Sequence, residues 1–489
     1  MNDAVSARPR RTFLDRVGYG IGSLAFGVKD NGFGTLLIIF YNQALGLPAA
    51  LVGAAITISL VVDAIMDPMI GHVSDNWRSR WGRRHPFMYA SIIPVCLGFL
   101  FLWNPPEGLS QTGLFLYLVF LSIAVRFSLS LYEIPSYSLV VDLAEDYDER
   151  TSFLSFRSFF SWLSGLVMAV AAFQVFLKPT PQQPNGQLNL EGYANYGVVS
   201  AVIMFAAMLG SAIATHRHIK TFRPLPPRQR LRPAEAAMQV YRAVSHRPFL
   251  IMVGVGLFGA MAAGLAGSML VYFRLYFWGL TTTEIAYILY GNFASVAVGV
   301  VLANLLSKGM GKKWGAMLMA FCAMTVNPTL YMLRVVDVLP PNGSDTLLAI
   351  LIVASFFNTI FTVVSMILGG AMMADVVEDA QIKTGHQSPG LYFAANSFAL
   401  QCVSGVGIML ATTIIQLSGF PVGAKAGEVP QAVLNRMVLY EVPILLALYT
   451  MAIVFIGLYP ISRARHNSNL KTLGLTDDAP PKDAVPDVA

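Results

Sequence analysis

Apolar residues run along this chain in blocks of about 18 to 30, separated by shorter polar turns, and no block alternates with a period of two. Each block is long enough to cross a hydrocarbon core of about 30 Å as a helix, and the missing alternation excludes a spanning barrel. The pattern predicts twelve spans, at about 16–44, 48–74, 86–104, 112–141, 151–177, 195–215, 248–278, 282–306, 314–334, 345–375, 389–418 and 435–461. The fold class expected is therefore an all-α membrane protein. An even number of spans places both termini on one side. The basic residues decide which: Arg78–Arg84, Arg217–Arg247 and Lys308, Lys312 and Lys313 follow spans 2, 6 and 8, so both termini are expected in the cytoplasm.

Composition agrees with the pattern. The 489 residues are 55% hydrophobic and only 12% charged, with a mean hydropathy of +0.59, too apolar for a soluble multidomain protein. The net charge of +6 sits beside helix ends and forms no separate basic domain, so nucleic acid is not an expected partner. Cys96, Cys322 and Cys402 fall inside apolar blocks without metal-ligand spacing, and read as buried thiols. No removable signal is read at the N-terminus, only a first helix that stays. No nucleophile and base pair, metal spacing or phosphate loop points to an enzyme, and no cofactor is expected.

The chain repeats itself. Asp142, Glu145 and Asp146 in SLVVDLAED match Asp375, Glu378 and Asp379 in AMMADVVED at an offset of 233 residues, and RWGRR is echoed by GMGKK at an offset of 229. Two motifs giving nearly one offset imply a parallel duplication of six plus six helices. The halves expected are 1–215 and 248–461, joined by a basic cytoplasmic linker at 216–247 and followed by a disordered tail at 462–489. Pro233–Ser245 of the linker is expected to form a short amphipathic surface helix.

An ionisable side chain in lipid costs several kcal/mol unless paired or solvated, so each one inside a span is a functional candidate. Asp63 and Asp67 in DAIMDP are four apart and share a helix face, where two anions repel unless a cation joins them or one is protonated. They read as a coupling-ion site for sodium or a proton; the competing reading has Arg126 or Lys29 neutralise them as a packing brace. Ser130 and Glu133 share a face with Arg126. Lys29 and Asp30 lie in GVKDNGFG, where Gly27, Gly32 and Gly34 are expected to admit close neighbours. Carboxylates, cationic donors and an aromatic plane suit a neutral polyol: Glu133 accepts, Arg157 donates, Tyr137 supplies the plane. Pro135 is expected to break span 4 and free backbone carbonyls. Asp75, Arg78, Arg83, Arg84, Asp142 and Asp375 are expected to form a conformational gate of charges at the cytoplasmic end; a simple positive-inside anchor is the competing reading of the arginine loop.

DAIMDP followed by RSRWGRR, with GVKDNGFG, YEIPSYSLV, SFRSFF and MMADVVEDAQIK in order, resembles the glycoside-pentoside-hexuronide:cation symporters of the major facilitator superfamily. The resemblance covers most of the chain. It implies two pseudo-symmetric six-helix bundles that work by alternating access at the cytoplasmic (inner) membrane. It also implies a cation site at Asp63, Asp67 and Ser130 and a sugar site lined by Lys29, Asp30, Glu133, Tyr137 and Arg157, with Asn396 and Gln401 added from the second half. Met66 stands where the family pattern has a cation-site asparagine, which favours a proton over sodium; no other metal is expected. Glu133, Tyr137, Gln401, Met366 and Arg126 also depart from that pattern. A monomeric symporter of a sugar or glycoside is the expectation. A lysolipid or other amphipath as cargo, or a non-transporting sensor docking a partner on the linker, are the alternatives.

Overall fold

The computed structural model describes residues 12–469 apart from 145–146, 179–185, 220–245, 385–388, 426, 463–464 and 466–467. The expected helix at Pro233–Ser245 and the tail beyond 469 lie outside the described residues. Eleven uninterrupted helices are long and apolar enough to cross a membrane. Ahead of them, Phe13–Ala44 is helical throughout but segmented. The segments are α1 (Phe13–Gly20), α2 (Leu24–Asn31) and α3 (Leu37–Ile39), joined by a 3₁₀ turn at Ile21–Ser23 and a π stretch at Gly32–Leu36, with a second π stretch at Phe40–Ala44. Five glycines from Gly20 to Gly34 explain the segmentation as far as Leu36, because glycine is a poor helix former and leaves the hydrogen-bond ladder free to shift. With this stretch the described passes number twelve, as the hydropathic pattern predicts.

The chain divides into two units, Met1–Gln229 with Leu270–Tyr272 and Pro421–Ala426, and Arg230–Met269 with Phe273–Phe420 and Gly427–Ala489. In the first unit the segmented stretch is followed by α4 (Ala49–Asn76), α5 (His85–Leu102), α6 (Gln111–Leu143), α7 (Tyr147–Ala171) and α8 (Leu190–His216). Thr12 and Asp15 form a capping box at the start of α1. The Asp15 carboxylate also takes Arg217 Nη2 at 2.5 Å and His218 Nε2 at 2.7 Å from beyond α8. Burial alone raises the Asp15 pKa, but the hydrogen bonds from Thr12, His218 and Arg217 outweigh it and hold the carboxyl well below its usual range. At Gly27, α2 crosses α7 so closely that an added Cβ would fall on the Ser161 carbonyl and the Ser164 hydroxyl. Ser164 Oγ donates to the Leu24 carbonyl at 2.9 Å across this crossing. Gly32 approaches Phe99 and Trp103, whereas Gly34 has no atom within 4 Å of such a Cβ, so the expected close approach holds at two of the three glycines.

The break expected at Pro135 does not occur; α6 runs through it. A proline removes a single donor, and the turns on either side are pinned here: Tyr132 and Leu139 are fully buried, and Tyr132 Oη donates to the Met208 carbonyl.

The second unit comprises α9 (Arg247–Tyr272, its last three residues grouped with the first unit), α10 (Thr282–Gly309), α11 (Lys312–Val335), α12 (Asp345–Thr384), α13 (Pro389–Leu417) and α14 (Gln431–Gly457). Its core gathers Phe249, Ala303, Ala316, Val364, Leu368 and Met372. Gly264 and Gly407 let α9 and α13 cross at backbone contact, as Gly27 does for α2 and α7. Glu284 caps α10 with Thr281, while Glu441 is buried in α14.

Candidate functional site

The charged interior of the first unit resolves into three clusters. In the first, Ser130 Oγ on α6 donates to Asp63 Oδ1 on α4 at 2.9 Å, and Arg126 Nη1, one turn before Ser130, lies 3.6 Å from Asp63 Oδ2. The spacing of four explains why hydroxyl and guanidinium reach one carboxylate. The Arg126 guanidinium rests on the Phe33 ring at 4.7 Å and lies within electrostatic reach of Asp67 and Asp30. In the second cluster, Lys29 Nζ meets Asp30 Oδ1 at 2.5 Å, just before the π stretch. In the third, Arg157 on α7 reaches Glu133 Oε1 at 3.2 Å and Ser136 Oγ at 3.1 Å on α6.

Arg157 is held from several sides. Its guanidinium lies over Phe26 at 4.5 Å and over Tyr137 at 5.3 Å, and its carbonyl accepts from Ser23 Oγ at 2.6 Å. The Gly27 crossing thus sets where this arginine stands. Phe26, Phe33, Ser23 and Ser136 are partners that no spacing argument singled out. Their signal was the i, i+3 and i+4 rows around the charged positions, which are filled by ordinary residue types.

Accessibility is graded across the clusters. Asp30, Tyr137 and Glu133 are 65, 55 and 43% exposed, while Asp63 and Arg126 are 11 and 9% exposed. At Asp63 one carboxylate oxygen accepts from Ser130 Oγ and the other faces the Arg126 guanidinium, while Met66 follows three residues on in the same helix. Asn396 and Gln401 are carried by α13 of the second unit, and Met366 is exposed on α12.

The charges expected to gate sort by unit. Arg83 Nη2 lies 3.1 Å from both oxygens of Asp142, while Arg84 Nη1 meets Asp142 Oδ2 at 2.6 Å and the Ser138 carbonyl. In the second unit Lys312 Nζ meets Asp375 Oδ1 at 2.6 Å, Tyr459 Oη donates to Asp375 Oδ2 at 3.3 Å, and Lys313 donates to the Tyr459 carbonyl. The repeat legible in sequence is thus a repeat of contacts. Arg78 is exposed, and the side chain of Asp75 lies outside the described residues. Beside this latch, Asp379 takes His246 and Arg465, a triad that sequence reading did not assemble.

Twelve apolar helical passes, with charge pairs inside one six-pass unit and a basic–acid cluster in each, define a polytopic membrane transport protein. The chain belongs to the MFS/sugar transport protein family, whose sequence pattern matches residues 18–463. It is similar to the inner membrane symporter YicJ of Escherichia coli (strain K12), 22% identical over 84% of either chain. It is also similar to the isoprimeverose transporter of Lactiplantibacillus pentosus, 21% identical over 83% of this chain and 80% of that one. Among solved structures, a D-xylose-proton symporter superposes with a TM-score of 0.63 at 15% identity, covering 92% of this chain and 98% of the other, which establishes the shared fold. The family is one of carriers, and the chain is not an enzyme.

Proposed function

We propose that this protein drives the uphill movement of a sugar or glycoside with a proton that enters at Asp63 and Asp67, by alternating access in the cytoplasmic membrane with both termini inside. The observation that supports the reading is the graded accessibility of the charged residues: Asp30, Glu133 and Tyr137 are accessible, whereas Asp63 is shielded. Asp30 and Glu133 accept from sugar hydroxyls, Arg157 donates, and the Tyr137 ring covers a C–H face of the sugar. Lys29 holds Asp30 in place. Supporting the cargo class, relatives across most of the chain include a transporter named for isoprimeverose. A proton is favoured over sodium because both Asp63 oxygens are engaged, one by the Ser130 hydroxyl and the other facing Arg126. The Arg83, Arg84 and Asp142 latch, with Lys312 and Asp375, is the part that opens and closes during the cycle. The protein works as a monomer.

The test is uptake of a sugar panel into proteoliposomes with pH and sodium gradients imposed separately. Accumulation is expected with a pH gradient alone. Asp63→Asn and Asp67→Asn are expected to abolish accumulation while sparing downhill exchange. Undiminished uphill uptake in both variants would refute the coupling role.

A further inference from the structure

One acid of the second unit stands apart from the charge pairs described above. Glu441 lies about 15 Å from the start of α14, a helix about 40 Å long, and so sits deep in the span. It is 1% exposed, its Oε2 has no hydrogen-bond partner, and among the described residues no cation pairs with it. The register of the neighbouring helix shows what surrounds it. Lys313 on α11 donates to the carbonyl of Tyr459 just past α14, and Thr450 Oγ1 donates to Met324 Sδ at 3.8 Å, so the two helices run antiparallel and Glu441 falls opposite residues 331–333. Tyr331, at that level, is packed by the rings of Phe273, Phe277 and Trp278. The titratable groups within electrostatic reach of Glu441 are Tyr331 and, on its own helix, Tyr449; Arg274, beside Phe273, reaches Tyr331. α13 carries no charged residue, and the one on α9 is Arg247, at the end away from Phe273.

A carboxylate enclosed among apolar and aromatic groups without a donor bears a large solvation cost, and a proton on the oxygen removes it. A glutamine would fill the same space with no proton to exchange, so an acid at this depth is a functional candidate. We propose that Glu441 is a second proton-binding site of this carrier, loaded in the state described here and unloaded when the cycle lets water reach this level of α14. The proposal deepens the proton-coupled reading above and rests on it. The step is a proton transfer: the carboxyl O–H bond breaks, its electron pair stays on the oxygen, and the proton passes to water. Tyr331, with Arg274 beyond it, is the group placed to steady the carboxylate that remains.

The experiment is infrared difference spectroscopy of the purified full-length protein, which needs no substrate. At neutral pH the wild-type minus Glu441→Gln spectrum is expected to contain the C=O band of a protonated carboxylic acid. In heavy water that band is expected to shift within the duration of an uptake assay. A missing band overturns the proposal, because the acid is then ionised, and a band unmoved by heavy water overturns it as well, because the proton is then sealed in. Should Glu441→Gln fail to fold, Glu441→Asp replaces it: a band displaced from its wild-type position supports the assignment, and an undisplaced one sinks it. In proteoliposomes each proton carried makes a pH difference of one unit worth roughly a factor of ten in accumulation. Glu441→Gln is therefore expected to accumulate sugar about tenfold less than wild type, and equal accumulation overturns the proposal. Undiminished uphill uptake by Asp63→Asn and Asp67→Asn would instead sink coupling at those aspartates and leave the Glu441 band and its exchange standing.

Discussion

Two glycines on one helical stretch offer a controlled perturbation of the site. At Gly27 an alanine Cβ would land on the backbone carbonyl of Ser161 and the hydroxyl of Ser164; at Gly34, seven residues on, it would meet nothing within 4 Å. Overpacking against groups that cannot rotate aside costs up to about 3 kcal/mol, and the better helix propensity of alanine returns about 1. Gly27→Ala is therefore expected to lose about 2 kcal/mol, while Gly34→Ala is neutral or gains up to about 1. The gap of about 3 kcal/mol is roughly a hundredfold in the unfolding equilibrium. Reversible unfolding by sodium dodecyl sulfate in mixed micelles measures it. The same alanine at Gly27 pushes α7 away from α2 and loosens Arg157 from Ser23 and Phe26, so sugar uptake is expected to fall with stability, whereas Gly34→Ala leaves uptake unchanged. Equal stabilities for the two variants would refute the crossing as the device that positions Arg157.

The latches give a second expectation. Asp142→Asn leaves Arg84, only 5% exposed, without its carboxylate and should cost about 3 kcal/mol in the same unfolding assay. Asp375→Asn should cost less, because Lys312 is 27% exposed and regains water. Asp15→Asn tests the start of the chain: losing charged hydrogen bonds from Arg217 and His218 should cost about 2 kcal/mol at pH 7. Because the folded carboxyl lies below its unfolded value, this contribution is present above about pH 4 and lost as the pH falls through the lowered pKa. The Tm gap between wild type and variant should therefore be full at neutral pH and close in acid.

Much of this was legible in the chain. Span length follows from the thickness of a bilayer, so blocks of apolar residues located the helices almost without ambiguity. Asp63, Asp67, Arg126 and Ser130 were legible because charge is rare in lipid and because a spacing of four fixes a shared face. What pairs with what was not. Whether Arg126 turns to Asp63 or elsewhere depends on the packing of α4 against α6, which no one-dimensional pattern encodes. The union of Asp15 with Arg217 and His218 spans more than 200 residues and has no local signature. Pro135 misled for the opposite reason: its local rule is strong, yet burial of Tyr132 and Leu139 on neighbouring turns holds the helix together. Gly34 shows that a glycine's permissiveness is an opportunity that the neighbouring elements need not use.

The duplicated latch is not a chemical copy. Among the described residues, one half holds its acid with two planar forks that grip both oxygens and a carbonyl behind them, and the other with an ammonium and a phenol. A point charge on a supple stem yields to added electrolyte sooner than a rigid fork does. The repeat has thus diverged into one stiff ion-pair cluster and one softer one, and rising ionic strength is expected to weaken the lysine pair first.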